Sequence, residues 1–518
     1  MIKEIELNCT PSEAADSQSI ERLVASNCQI EVQEINSIEY LRRSIDARSK
    51  QPKIILRLKV YINEEPPERE RAIDQLSRVG SKRQVLIVGA GPAGYFAAME
   101  LIKAGIKPVI FERGKDVQAR RRDLRAIQQE GVVNPDSNYC FGEGGAGTYS
   151  DGKLYTGSKK RGPVKQILQL LVDHGANPDI LFDAHPHIGS NKLPQVIQAI
   201  RETIQKMGGE IHFQARVSDF IVHEGVMRGV VVNDEKEFLS EAVILATGHS
   251  ARDIFDLMGK NKIRLEAKPF AMGIRIEHPQ ALIDTMQYHQ KPRDANLPAA
   301  SYKMVTQVKN RGVFSFCMCP GGLIVPTATA PGELVVNGMS MAKRDSKFAN
   351  SGMVVAIEPD DLQELKRFAE LRCLQFQRAV ETAVFNFGDG SQAAPAQRMT
   401  DFVKGTLSDK LPSSSYIPGI YSAPLHEILP GRITESLQIA FKQFGKKYRG
   451  FLTEEANVVG LESRTSSPIR IPRDREKCTH TEVDKLYPCG EGAGYAGGII
   501  SAALDGQLVA RAVAAREF

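Results

Sequence analysis

The stretch that most constrains this chain is residues 84–114, QVLIVGAGPAGYFAAMELIKAGIKPVIFERG. Residues 85–88 are a short apolar, β-branched run of the kind that reads as a buried parallel strand. Gly89, Gly91 and Gly94 follow as G-x-G-x-x-G, and from Ala93 the composition turns helix-forming. Gly105 stops that helix, and residues 108–111 form a second strand closed by Glu112. Gly89 permits the tight turn, Gly91 lets backbone amides approach a pyrophosphate, and Gly94 lets helix and strand pack closely. The helix N-terminus offers unpaired N–H groups and a positive dipole end. An acid about 20 residues beyond the turn is placed to accept hydrogen bonds from a ribose. It would repel a 2′-phosphate, which argues against NADP as the bound nucleotide.

Two further G-x-G-x-x-G matches, at Gly142/Gly144/Gly147 and Gly492/Gly494/Gly497, lack a following strand that ends in an acid. Only the copy at 89–94 has the whole strand, turn, helix, strand and acid context.

The length of 518 residues allows two to four domains. A net charge of +5 over this length gives no argument for DNA. No apolar run reaches the ~18 residues of a membrane span, and the N-terminus lacks a signal-peptide core. Eight cysteines spread along the chain show no disulfide framework, so a cytoplasmic setting is expected. The basic clusters at Arg120, Arg121, Arg122 and Arg125 and at 159–161 read as solvated faces and loops.

Four segments are expected. Residues 1–80 read as a small α/β domain of order βαβαβ, with a helix at 38–48. Residues 81–265 and 456–518 read as two parts of one nucleotide-binding domain. Residues 266–455 read as a mixed α+β substrate domain, with 395–429 as a long polar, Pro-rich excursion. The fold class is therefore α/β, a Rossmann-like parallel sheet with helices assembled from discontinuous segments.

Three separated signals return to that sheet. The loop 138–157 is so rich in glycine that few side chains can pack, which suits backbone approach to a flat ring. The run AVILATG ends in Thr247 and Gly248, where backbone again can approach a ligand. The segment GEGAGYAGG runs from Gly490 to Gly498 and opens a helix at Ile499, aiming amides at an anion or a polarised carbonyl. Gly144, Gly145, Ala146, Gly147 and Thr148 are expected to form one wall of the ring site. Gly497, Gly498, Ile499 and Ser501 are expected to form another. His185 and His187 read as a helix-entry loop, not a metal pair, and no metal site is expected.

GAGPAG with Glu112, the ATG at 246–248 and GEGAGYAGG together resemble the glutathione-reductase-like FAD flavoproteins with two dinucleotide-binding motifs. FGEGGAGTYSDGKL (141–154), GLESRTSSPIRIPRD (460–474) and YPCGEGAGYAGGIISAALDG (487–506) narrow the resemblance. They are similar to the signatures of a bacterial family of uncharacterised FAD-dependent dehydrogenases, a more distant relation of the flavoproteins that include aromatic-ring hydroxylases. The resemblance implies FAD, with Glu491 in place of the usual Asp toward the ribityl chain. It also implies cofactor contacts at Pro92, Ala93, Arg113, Val217 and Gly490.

FAD would carry hydride through flavin N5. No second nucleotide domain with its own turn and acid is present, so NAD(P)H is expected only as a transient reductant. Glu462, Arg464 and Arg470 are substrate candidates, because Arg suits a planar anion; a loop held by its own Ser and Thr bonds explains them equally well. In a regular strand Cys317 and Cys319 would share a face at the limit of disulfide reach, and packing is the favoured reading. The expected activity is an FAD-dependent oxidoreductase acting on a small molecule. The alternative is a non-catalytic flavin-binding protein whose N-terminal domain contacts a protein or RNA.

Overall fold

The computed structural model describes residues 1–154 and 162–518. The basic cluster at 159–161 and the last residues of the Gly-rich loop lie outside the described residues.

The nucleotide unit is built on a five-stranded parallel sheet. Its order is Leu486–Pro488, Val243–Leu245, Gln84–Val88, Lys107–Phe111, Glu210–His212. Numbered along the chain this is 5-4-1-2-3, the doubly wound order whose reversal point lies beside the first strand. Both faces are covered, so the strands are continuous apolar runs, as Val85 to Val88 show by being buried throughout. The helix Pro92–Lys103 packs on the C-terminal helix Ile499–Glu517. Two glycines make that layer possible. A Cβ on Gly94 would lie 2.0 Å from the Gly89 carbonyl oxygen, and one on Gly506 would lie 2.1 Å from that of Ala93.

An antiparallel meander, Val217–His223, Val226–Val232 and Lys236–Leu239, interrupts the return to the parallel sheet. After Val243–Leu245 the chain leaves to build a seven-stranded sheet. The order there is Val305–Val308, Arg311–Cys319, Phe348–Ile357, Phe270–Pro279, Asn457–Glu462, Ala394–Arg398, Ile420–Ser422. The helices Arg372–Phe387 and Gly431–Lys447 belong to this unit, the second covering the sheet.

Three expectations need correction. Residues 38–48 are not a helix: Ile35–Asp46 is a strand, and the N-terminal order is βααββ in a sheet ordered first, third, second. Register shifts at Ile35/Ser37 and Tyr40/Arg42 break its alternation, which made the apolar spacing look helical. The 395–429 stretch is not an irregular excursion, since Ala394–Arg398 and Ile420–Ser422 pair as sheet strands. The boundary at 455/456 is also misplaced, because Asn457–Glu462 lies between Phe270–Pro279 and Ala394–Arg398 in the seven-stranded sheet. The N-terminal sheet shares one apolar cluster with that larger sheet, running from Leu7 and Val60 through Met272 to Leu461. Arg43 ties it to the nucleotide unit through Asp183 at 2.6 Å and Asp179 at 3.0 Å.

Candidate functional site

A cavity opens beyond the carboxyl ends of the parallel strands and extends to the edge of the seven-stranded sheet. At its first end stand Gly89, Gly91, Pro92 and Ala93, at the start of the helix Pro92–Lys103. Gly91 caps that helix without a side-chain hydrogen bond, so its first amides face the cavity uncapped. A Cβ on Gly91 would meet nothing within 4 Å, and the same holds at Gly248, Gly497 and Gly498. These positions surround open space wide enough for a ligand to touch backbone. Gly94 has a different task, the close packing described above.

Glu112 and Arg113 line the next part with Val217, Phe141 and Ala215. Glu112 is buried and accepts backbone N–H bonds from Ala90 at 3.0 Å, Gly114 at 2.9 Å and Gly142 at 2.9 Å. Two of the three fall on Oε1, which leaves lone-pair capacity on Oε2 for a ribose hydroxyl. Glu112 has a second task that the sequence did not suggest, tying the Gly-rich loop to the phosphate turn. Arg113 is held by Asp136 and Asp253 and lies over the Phe141 ring, 4.4 Å from its centroid.

Gly145, Ala146 and Gly147 line the cavity beside the phosphate turn, where a Cβ on Gly145 would lie 3.4 Å from the Gly91 Cα, and Gly497, Gly498 and Ile499 continue that wall, Ile499 lying 2.9 Å from where a Cβ on Gly147 would be. Gly144 and Thr148, expected beside them, turn away. The Thr148 hydroxyl donates to the Glu143 carbonyl at 3.0 Å, and Gly144 packs against Thr148 and Ile197. Ser501 is buried below the wall, where its hydroxyl accepts from the Gly497 amide at 3.1 Å and donates to the Gly498 carbonyl at 3.0 Å. Gly490 donates its amide to Asp505 at 2.7 Å and stands behind the lining. Thr247, Gly248 and Glu491 do line the cavity. Burial pushes the Glu491 carboxyl up to about 7, against the opposing pull of Lys268.

Arg120 was read as part of a solvated face. It is 0% exposed and donates to the carbonyls of Asn138, Tyr139, Glu143 and Gly145 at 2.8–3.0 Å. So glycine-rich a loop has few side chains with which to hold itself, and one guanidinium fork gathers four of its carbonyls. Arg121, Arg122 and Arg125 are exposed, as their cluster suggested.

The three substrate candidates do not converge as anchors. Arg464 lines the cavity but spends its guanidinium on Glu333 at 2.6 Å, Glu381 at 3.0 Å and the Thr329 hydroxyl at 2.6 Å. Arg252 bridges the same two carboxylates at 2.8 Å each, making a buried group of two cations and two anions. Arg470 is exposed, in a short ladder opposite Glu266 and outside the cavity lining. Glu462 is buried behind the cavity and pairs with Arg275 at 2.8 Å. Burial still pushes its carboxyl up to about 7, and its Oε1 has no hydrogen-bond partner.

Sequence reasoning missed the side chains of the far wall. Phe316 and Cys317 reach it from the seven-stranded sheet, Asn337 from the two-stranded sheet of Gly322–Pro326 and Val336–Ser340, Lys153 from the loop, and His249 and Ser250 from the turn after Gly248. His249 accepts from or donates to the Ser250 hydroxyl at 2.9 Å. Burial holds its imidazole down to about 4, helped by the nearby Arg464 and Arg252 charges. One signal was available: Arg275 and Glu277 sit inside an otherwise apolar strand, FAMGIRIEHP, where a charge must be paired to be buried.

The Cys317/Cys319 segment is not a regular strand. Phe316 and Cys319 pair with Gly352 and Asn350, so two residues, Cys317 and Met318, oppose one. Cys317 has φ of 45°, a region that costs of order 1–3 kcal/mol for a non-glycine residue. The bulge sends Cys317 to the cavity while Cys319 stays buried.

The fit to FAD follows from this geometry. Uncapped helix amides flank a glycine with clear space above it, a buried carboxylate with spare lone-pair capacity ends the adjacent strand, and a glycine-lined slot continues beyond. Among the described residues no group of three or more His, Cys, Asp or Glu gathers as a metal site, and no helix is long and apolar enough to cross a membrane.

Comparison with known proteins agrees with that fit. Residues 269–465 match a family described as FAD-dependent protein, C-terminal domain-like. Residues 82–129 match an FAD binding domain, and residues 1–61 match a domain of unknown function. The tRNA uridine 5-carboxymethylaminomethyl modification enzyme MnmG of Lactobacillus delbrueckii subsp. bulgaricus is 27% identical over 34% of this chain and 25% of its own length. Among solved structures, a triple mutant of the flavin-dependent brominase Bmp2 aligns over 84% of this chain and 80% of its own at 12% identity, with a TM-score of 0.36. An uncharacterized protein of Clostridium beijerinckii is 38% identical over 96% of this chain and 95% of its own length. The chain thus belongs to the same family as that clostridial protein, a family of FAD flavoproteins.

Proposed function

We propose that this protein is an FAD-dependent oxidoreductase that moves an electron pair between a small-molecule substrate and bound flavin. FAD, when bound, supplies a ring that accepts or gives hydride at N5. The chain's residues do the rest. The amides around Gly91 and Ala93 would hold the pyrophosphate, and Glu112 would take a ribose hydroxyl. The backbone of Gly145 to Gly147 and of Gly497 and Gly498 would line the rest of the cofactor's path.

The observation that carries this reading is the change of character along one cavity. Its nucleotide end is backbone and glycine, whereas its far end gathers Lys153, Cys317, Asn337, His249 and Glu491. A site that only stored flavin would have no use for ionisable groups there, since burying them costs free energy. Lys153, which donates to the Met318 carbonyl, brings positive charge beside Cys317.

The test is to denature the purified protein and identify the released flavin by chromatography. The bound flavin is then mixed anaerobically with NADH, NADPH and small thiols while its absorbance is followed. Release of FAD, and its reduction by a donor, is expected. FMN, or FAD that no donor reduces, would overturn the reading. Gly91→Val should abolish FAD binding while leaving the far-ultraviolet circular dichroism unchanged, because its side chain enters space that no protein atom occupies.

A further inference from the structure

Cys317 stands at the cavity's far wall with Cys319 buried close by, in a setting built from four other segments. The Cys319 sulfur lies 3.4 Å from the Cys317 carbonyl oxygen and 3.7 Å from Nη2 of Arg275. The same Nη2 donates to the Cys317 carbonyl at 2.6 Å, so one buried guanidinium grips both residues. Nζ of Lys153 is 3.9 Å from the Cys317 sulfur and donates to the Met318 carbonyl. Facing these cations are the carboxylates of Asp151, Glu462 and Glu491, all close enough to act on Cys317 or be acted on by it. The thiols are driven apart in acidity. A hydrogen bond from the Cys319 thiol, joined by Lys153 and Arg275, holds Cys317 well below the ordinary thiol range, whereas Cys319 is raised.

We propose that Cys317 and Cys319 form a redox-active pair beside the flavin, with Cys317 the cavity-facing sulfur and a thiol–disulfide compound as substrate. The inference rests on the FAD-dependent reading above and names the substrate class of that site. In the oxidising step the Cys317 thiolate and the Cys319 thiol join through a new S–S bond. The S–H bond of Cys319 breaks, and two electrons and one proton leave, all of which an oxidised isoalloxazine accepts. An external thiolate then attacks Cys317, the exposed sulfur, and Cys319 departs as the leaving thiolate. A second external thiolate displaces Cys317, so one external disulfide forms and the pair is restored. Both protein sulfurs leave as thiolates, and one proton, taken up by Cys319, returns the pair to thiolate and thiol.

The test compares the wild-type holoprotein with Cys317→Ser and Cys319→Ser. Each is air-oxidised and titrated anaerobically with dithionite. The wild type should take up four electrons per FAD, and each variant two. Peptide mapping of the oxidised wild type should find one bridged peptide holding residues 317 and 319. After reduction Cys317 should react with iodoacetamide at neutral pH about tenfold or more faster than the other seven cysteines. Wild type that binds FAD but takes up only two electrons, with no bridged peptide, overturns the pair and leaves the FAD reading intact. Protein that binds no FAD overturns the reading on which the pair depends.

Discussion

The two walls of the cavity are made by opposite means. On the nucleotide side the parallel sheet contributes almost no side-chain chemistry. Its glycines remove Cβ atoms, and its helix amides do the binding. On the other side buried charge is brought up by Arg275 and Glu462 of the seven-stranded sheet, Glu381 of the helix Arg372–Phe387 and the Arg252/Arg464 group. A backbone site is local, so a short motif specifies it. A side-chain site of this kind is a meeting of distant segments, and each buried ion depends on every partner being present.

The contrast fails if the charged wall can be cut without cost. Arg464→Met leaves Glu333 and Glu381 sharing Arg252 alone, and should destabilise the fold by ~3–5 kcal/mol in urea unfolding, the scale of a broken buried pair. A loss under about 1 kcal/mol would mean that the group is hydrated. Arg464→Met should nevertheless retain FAD, because its guanidinium is turned to its carboxylates.

The next effect tests charge through pH. The Glu491 carboxyl is raised to about 7 from its ordinary 4.5. A raised acid stabilises the fold fully below its unfolded pKa, and that contribution is lost as pH rises through 7. Relative to Glu491→Gln, the wild type should therefore gain stability as pH falls from 8 to 4.5, by up to roughly 3 kcal/mol. A flat difference across that window would show that Glu491 stays hydrated.

A smaller effect sharpens the backbone side. Glu112→Gln replaces an acceptor of three amides by a group with one carbonyl oxygen, and should weaken FAD binding by ~1–3 kcal/mol, read by fluorescence titration. Smallest should be Arg470→Ala, an exposed cation outside the lining. It is expected to change stability and FAD content by no more than about 0.5 kcal/mol. A strong loss of activity there would restore Arg470 to the site.

What the sequence disclosed follows the same division. Gly89, Gly91, Gly94, Thr247 and Gly248 announce backbone approach because glycine has so few other uses at those turns. Nothing in the run QARRRDLR distinguishes Arg120 from its neighbours, since its burial depends on where the Gly-rich loop comes to rest. The strand Ile35–Asp46 hid behind two register shifts, and Asn457–Glu462 was assigned to the wrong unit because its strand partners, Phe270–Pro279 and Ala394–Arg398, are far from it in sequence. Cys317 was placed by strand periodicity, which a single inserted residue suspends.

The chain crosses between its two large units twice, and at the crossing Glu266–Ala267 pairs antiparallel with Ile469–Arg470. These strands lie roughly 200 residues apart in sequence, yet they zip the outgoing and returning segments into one stalk. The stalk makes assembly of the cavity a late event. Its first wall can form as soon as the early strands pair, but the opposite wall cannot be fixed until the returning segment has been made and found its partner. Such long-range closure is slow compared with local pairing. Newly made chains should therefore pass through a stage in which the first four parallel strands can pair but the fifth strand, the C-terminal helix and the cofactor are not yet in place.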